Sequence, residues 1–196
     1  MKRVLIIHGW GNERPEGHWH RLLATALRKE GHVVAYPQLP DTELPSLAKW
    51  LAVLKVELDL LNEAGDGELL VFGHSLGCLT WLHISQSDIL KEQASRVMLV
   101  APADPDLCGE VPDFQMNLSA PAVKTAAHKA AQSTLLVGSD ADPWLPKGIE
   151  ATYATPLDLP FVSIQGAGHF AVEEGWTPWQ GVINWVNDAN TDLSAR

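Results

Sequence analysis

The sequence predicts a three-layer α/β fold: a mostly parallel sheet of about six strands, helices on both faces and at most a minimal lid. Three observations carry this. Short runs such as "VLIIHG" and "ELLVFGHS" are apolar throughout, as strands buried on both faces must be. Longer segments with helical periodicity separate them. Glycine-rich turns, "HGWGN", "GHSLG", "GSDADP" and "GAGH", fall where strands end, the edge at which open parallel sheets gather their sites.

In chain order, Val4–Gly9 reads as the first buried strand and His18–Gly31 as a helix closing at a glycine. His32–Pro37 is the next strand. Leu44–Gly65 is a long amphipathic helix in which Leu47, Leu51, Leu54, Leu58 and Leu61 recur at three and four residues. Glu68–Ser75 is a strand and Leu76–Gln86 a helix. Arg96–Ala103 and Ser133–Asp140 follow as strands, and Phe161–His169 supplies the last strand with its loop. Pro178–Ala189 is the C-terminal helix. The stretch from Asp104 to Gln132, with prolines and weak periodicity, is expected to hold a loop and one helix, too little for a large lid domain. Whether it covers a pocket is not legible in the sequence.

At 196 residues, the chain reads as one domain, residues 1–196, with 46% hydrophobic and 19% charged residues and no repeat. A net charge of −10 argues against nucleic acid and anionic membranes as partners. The apolar run near the N-terminus, Val4–Ile7, is shorter than a signal peptide needs, and the expected compartment is the cytoplasm. Cys78 and Cys108 have no metal spacing and are expected to be free and buried. Oligomeric state is not legible.

Chemistry concentrates at Gly73-His74-Ser75-Leu76-Gly77, a G-x-S-x-G pattern between an apolar strand and a helix. Such an elbow strains the serine backbone, and small neighbours are needed where bulk would clash. Serine needs a base. Among eight histidines, His169 follows a strand in "QGAGHF", with Gly166 and Gly168 letting its loop bend toward Ser75. His74, adjacent to Ser75, is expected to diverge from it. An orienting acid should end the strand between serine and histidine, which offers Asp142, with Asp140 in reserve. Two backbone amides should receive a developing oxyanion: Leu76 N–H, and Trp10 N–H from "HGWGN". His18 and His20 resemble a metal pair but lack a nearby third ligand in sequence, and no metal or organic cofactor is assigned. Of eight tryptophans, Trp10, Trp144 and Trp176 lie near these loops and are expected to line an apolar acyl pocket, whereas Trp50, Trp81 and Trp185 should pack helices onto the sheet.

With these motifs in this order, the chain resembles a small α/β-hydrolase over nearly its whole length. Its size and "HGW" start are similar to the serine hydrolases of the YdeN and retinoblastoma-binding-protein-nine type. That resemblance implies Ser75, Asp142 and His169 as a catalytic triad. One segment departs from it: a Leu-x-Cys-x-Glu peptide would fall at Asp106-Leu107-Cys108-Gly109-Glu110, where Asp stands for Leu, and no retinoblastoma-type partner is expected.

The expected reaction is hydrolysis of a small or short-chain carboxylic ester through an acyl-enzyme, with activity rising as the histidine base loses its proton. An amidase or aminopeptidase using the same residues, a cofactor-free perhydrolase, or a binding protein on a hydrolase scaffold are the alternatives.

Overall fold

The computed structural model describes residues 1–196. Six strands form one sheet, β1 (Arg3–Ile7), β2 (Val33–Ala35), β3 (Leu69–His74), β4 (Ala94–Val100), β5 (Ala131–Ser139) and β6 (Phe161–Ile164), in the order β2-β1-β3-β4-β5-β6. All neighbours pair in parallel.

Side chains alternate across this sheet, and each face has its own core. Leu5, Ile7, Leu69, Val71, Val97 and Leu99 point to one side. Val4, Ile6, Leu70, Phe72, Met98 and Val100 point to the other. The second face is covered by α1 (Trp19–Lys29), through Trp19, Leu23 and Leu27, and by α6 (Gln180–Trp185), through Val182 and Trp185. The first face is covered by α2 (Leu47–Glu63), α3 (Leu76–Ser85), α4 (Pro121–Ala130) and α5 (Thr155–Leu157), the last running on from a π-helical turn at Glu150–Ala154. Trp50, Trp81 and Trp185 are all buried in these contacts, as expected. Helix α3 is buried on almost every side, which is why its sequence lacks an amphipathic pattern.

Several boundaries differ from the sequence reading. α2 begins at Leu47, three residues late, because Leu44 precedes Pro45 and a residue before proline is pushed out of helical conformation; Leu44 is exposed. β2 keeps only Val33–Ala35 of the expected strand, and the C-terminal helix is confined to Gln180–Trp185. The undecided segment folds as two single 3₁₀ turns, Pro105–Leu107 and Pro112–Phe114, followed by α4. No helix is long and apolar enough to cross a membrane.

Candidate active site

β1 and β3 lie side by side in the sheet, in register from Arg3 opposite Leu69 to Ile7 opposite Gly73. The loops that leave their carboxyl ends are therefore neighbours. Ser75 sits between β3 and α3 with φ 54° and ψ −123°, a region that non-glycine residues avoid. Backbone bonds hold it there: its N–H donates to Val100 O at 3.1 Å, and its carbonyl accepts from Cys78 N at 3.0 Å. The small flanking residues are required by space. A side chain at Gly77 would run into the Ile7 carbonyl, and one at Gly9 would come within 2.7 Å of Ser75 Cβ and 3.2 Å of its Oγ. The first loop thus lies directly against the serine.

The two expected oxyanion donors frame this contact. Leu76 N–H opens α3, where the first amides have no intrahelical acceptor. Neither it nor Trp10 N–H is taken by a backbone carbonyl. His8 was not singled out in the sequence, yet it governs this loop. Its Nε2 accepts from Leu39 N–H at 2.9 Å, which makes Nδ1 the protonated nitrogen, and Nδ1 lies 2.9 Å from Gly9 O. Burial pushes its pKa down to about 4, so the ring is neutral.

His169 follows β6 in a loop with left-handed backbone at Gly166, Gly168 and Phe170. Its Nδ1 lies 3.0 Å from Oδ1 and 2.9 Å from Oδ2 of Asp142, whose side chain is 1% exposed. Asp142 Oδ1 also accepts from Trp144 N–H at 2.9 Å. Asp140 is turned elsewhere: it accepts from Gly166 N–H at 2.7 Å and anchors the start of the histidine loop. Ser75 and His169 share one cleft without a hydrogen bond between them; such bonds often tighten only when substrate binds.

His74 makes no hydrogen bond to Ser75 and reaches a target that sequence reading missed. Its Nε2 lies 2.8 Å from His169 O, holding the backbone of the loop. Burial, then the neighbouring His169, lowers its pKa well below the usual imidazole range. The signal was its position inside the elbow; its partner, His169, stands far along the chain. His74 also approaches His18 and His20, supplying the third ligand-type residue that they lack in sequence.

The cleft has two arms that share Trp10, Gly11, Ser75 and His169. One, of about 420 Å³ and largely apolar, is lined by Leu76, Ala103, Leu107, Cys108 and the exposed Trp144, with the carboxylates of Asp104 and Glu110 also on its wall. The other, of about 520 Å³, is polar, with Asn12, Glu13, His18 and Glu43. Trp10 joins the two and is fixed by its Nε1–H donating to Glu43 O at 3.0 Å. Trp176 does not line the cleft. It is fully buried behind the histidine loop, where its Nε1–H donates to Ala167 O at 2.8 Å and its ring packs on Phe170 and Trp179. The indole there braces the glycine-containing loop from beneath. Both cysteines are free and buried; Cys78 Sγ faces Val100 O at 3.4 Å, inside the core.

The parallel sheet with a strained serine at a strand–helix elbow is the α/β-hydrolase fold. The chain belongs to the serine hydrolase family, whose model matches residues 4–188. Over 184 residues it is 26% identical to YdeN of Bacillus subtilis (strain 168), covering 90% of each chain. The crystal structure of the B. subtilis ydeN gene product superposes with a TM-score of 0.76 at 23% identity, over 95% of this chain and 97% of that one. A YdeN-like protein from Pectobacterium atrosepticum gives 0.70 at 23% identity, with 94% and 89% covered. Est1E from Butyrivibrio proteoclasticus gives 0.62 at 18%, with 96% and 84% covered, and shares the fold. The resemblance to the YdeN type read from the motifs is borne out.

Proposed function

We propose that this chain is a serine esterase acting on small or short-chain carboxylic esters. The observation that carries the reading is Ser75, strained and facing a cleft that it shares with a histidine paired to a buried carboxylate at 2.9 Å. In the proposed reaction His169 Nε2 takes the Ser75 proton as Oγ attacks the ester carbonyl. Asp142, on Nδ1, keeps the tautomer that leaves Nε2 as the base and favours the imidazolium that forms. The oxyanion is received by Trp10 and Leu76 N–H. His169 then passes the proton to the departing alcohol, and water activated by the same ring releases the acid.

The two arms support a division of labour. The apolar arm has room for a short acyl chain and one exposed rim residue, Trp144, to cover it. The polar arm suits an alcohol that carries hydrogen-bonding groups. Small-molecule esters, rather than polymers or lipids, are the proposed substrates.

The test is fluorophosphonate labelling of wild type, Ser75→Ala and heat-denatured protein, followed by acetyl, butanoyl and dodecanoyl esters. Labelling that needs both the fold and Ser75, with the shorter esters turned over faster, supports the reading. Absent labelling favours a binding protein on this scaffold, and preference for amides over esters favours an amidase. Faster turnover of the dodecanoyl ester would remove the short-chain assignment.

A further inference from the structure

Three histidines outside the proposed triad converge behind the elbow. His18 precedes α1, His20 lies in its first turn, and His74 ends β3. One ring nitrogen from each lies within 4.8 Å of the others. Their ring centroids are 4.7 Å (His18–His20), 5.6 Å (His18–His74) and 5.4 Å (His20–His74) apart. Three imidazoles that share a tetrahedral ion at the usual zinc–nitrogen distance have centroids separated by about 5 Å. The spacing matches; closing the nitrogens onto an ion needs roughly an ångström of ring movement.

A second observation is independent of that spacing. His20 is completely buried, and neither of its ring nitrogens has a hydrogen-bond partner in the protein. A neutral imidazole has one donor and one acceptor to satisfy, and buried polar atoms are rarely left without partners. Around it, Trp19 Nε1 and Tyr36 Oη are also unpartnered. His20 is thus the least satisfied polar side chain in the core, and it faces two more imidazoles.

We propose that His18, His20 and His74 bind one divalent transition-metal ion of the zinc type. Three neutral nitrogen donors without a carboxylate suit such an ion and disfavour magnesium or calcium. His18 and His74 also border the polar arm of the cleft, which gives the ion an entry path and leaves a fourth position for water. His74 Nε2 is engaged with a backbone carbonyl, His169 O at 2.8 Å, which puts the lone pair on Nδ1, the usual outer partnership of a metal-bound imidazole. Metal at His74 fixes the tautomer that grips His169 O, and so steadies the histidine loop. Binding does not depend on Ser75 being a nucleophile.

The test uses full-length protein freed of metal by a chelator and titrated with Zn²⁺ against a chromophoric competitor. X-ray absorption is recorded on the sample holding one equivalent. The expected result is one saturable equivalent, nitrogen ligands at about 2.0–2.1 Å with imidazole scattering, and at least tenfold weaker binding in His20→Gln. His128→Gln, remote from the cluster, should bind as wild type does. The wild-type measurements decide the matter even if His20→Gln does not fold. No saturable equivalent, a spectrum without histidine scattering, or unchanged affinity in a folded His20→Gln would overturn the proposal.

Discussion

His8 Nδ1 and the carbonyl oxygen of Gly9 are 2.9 Å apart, with the other ring nitrogen receiving Leu39 N–H. In a trans peptide the C=O and the following N–H point in opposite directions. By gripping Gly9 O, His8 therefore sets the direction of Trp10 N–H, the proposed oxyanion donor, while Gly9 itself packs against Ser75. Replacing His8 by Phe fills the space and removes the grip. The expected outcome is a kcat about tenfold or more lower, with KM nearly unchanged, short of the 10²–10³ seen when a donor is lost outright. Steady-state kinetics on a short-chain ester check it, and an unchanged kcat would separate His8 from catalysis.

His8 also makes the fold sensitive to acid. Its pKa falls from 6.5 to about 4 on folding, chiefly through burial. Between those values the unfolded chain takes up a proton that the folded one refuses. The stabilisation is complete above pH 6.5 and is lost as pH falls toward 4. Its size is about 3 kcal/mol. Urea unfolding at steps between pH 7 and pH 4 should show stability falling through that window, and the fall should be shallower in His8→Phe.

Ser75 carries backbone strain for its position. Ser75→Gly should abolish turnover and fluorophosphonate labelling while raising stability by about 1 kcal/mol, since strained φ/ψ costs about 1–3 kcal/mol and glycine's extra unfolded-state freedom returns part of it. Urea midpoints of the variant and wild type give the comparison. A less stable Ser75→Gly would mean that the elbow is not strained in solution.

The two aspartates after β5 separate cleanly. Asp142→Asn should lower kcat on the order of 10⁴-fold by presenting the wrong partner to His169 Nδ1. Asp140→Ala loses only the exposed bond to Gly166 N–H and should cost less than tenfold. Equal effects, or the reverse order, would return the acid assignment to Asp140.

Much of this architecture was legible because its signals are local. Strands buried on both faces must be apolar along their length, so Val4–Ile7 and Leu69–Phe72 announce themselves. A serine in forbidden backbone space needs glycines two positions either side, and Gly73 and Gly77 supply that pattern. His74 and His20 were not legible as neighbours, because their meeting depends on how α1 crosses the end of β3. His8 was hidden for a related reason: its work is a hydrogen bond to a backbone carbonyl, which any residue would display. Trp176 braces the histidine loop instead of lining the cleft, a difference the sequence does not carry because an indole beside a loop reads the same whether it faces solvent or packs beneath.

The six strands do not share the proposed machinery evenly. Ser75 and the loop against it hang from β3 and β1, paired on both sides, whereas His169 is carried by β6, a four-residue strand at the border of the sheet with Phe161 and Val162 exposed. Border strands detach at lower free energy than interior ones. Warming should release the base while the nucleophile is still held, so that the protein forgets its chemistry before it forgets its shape.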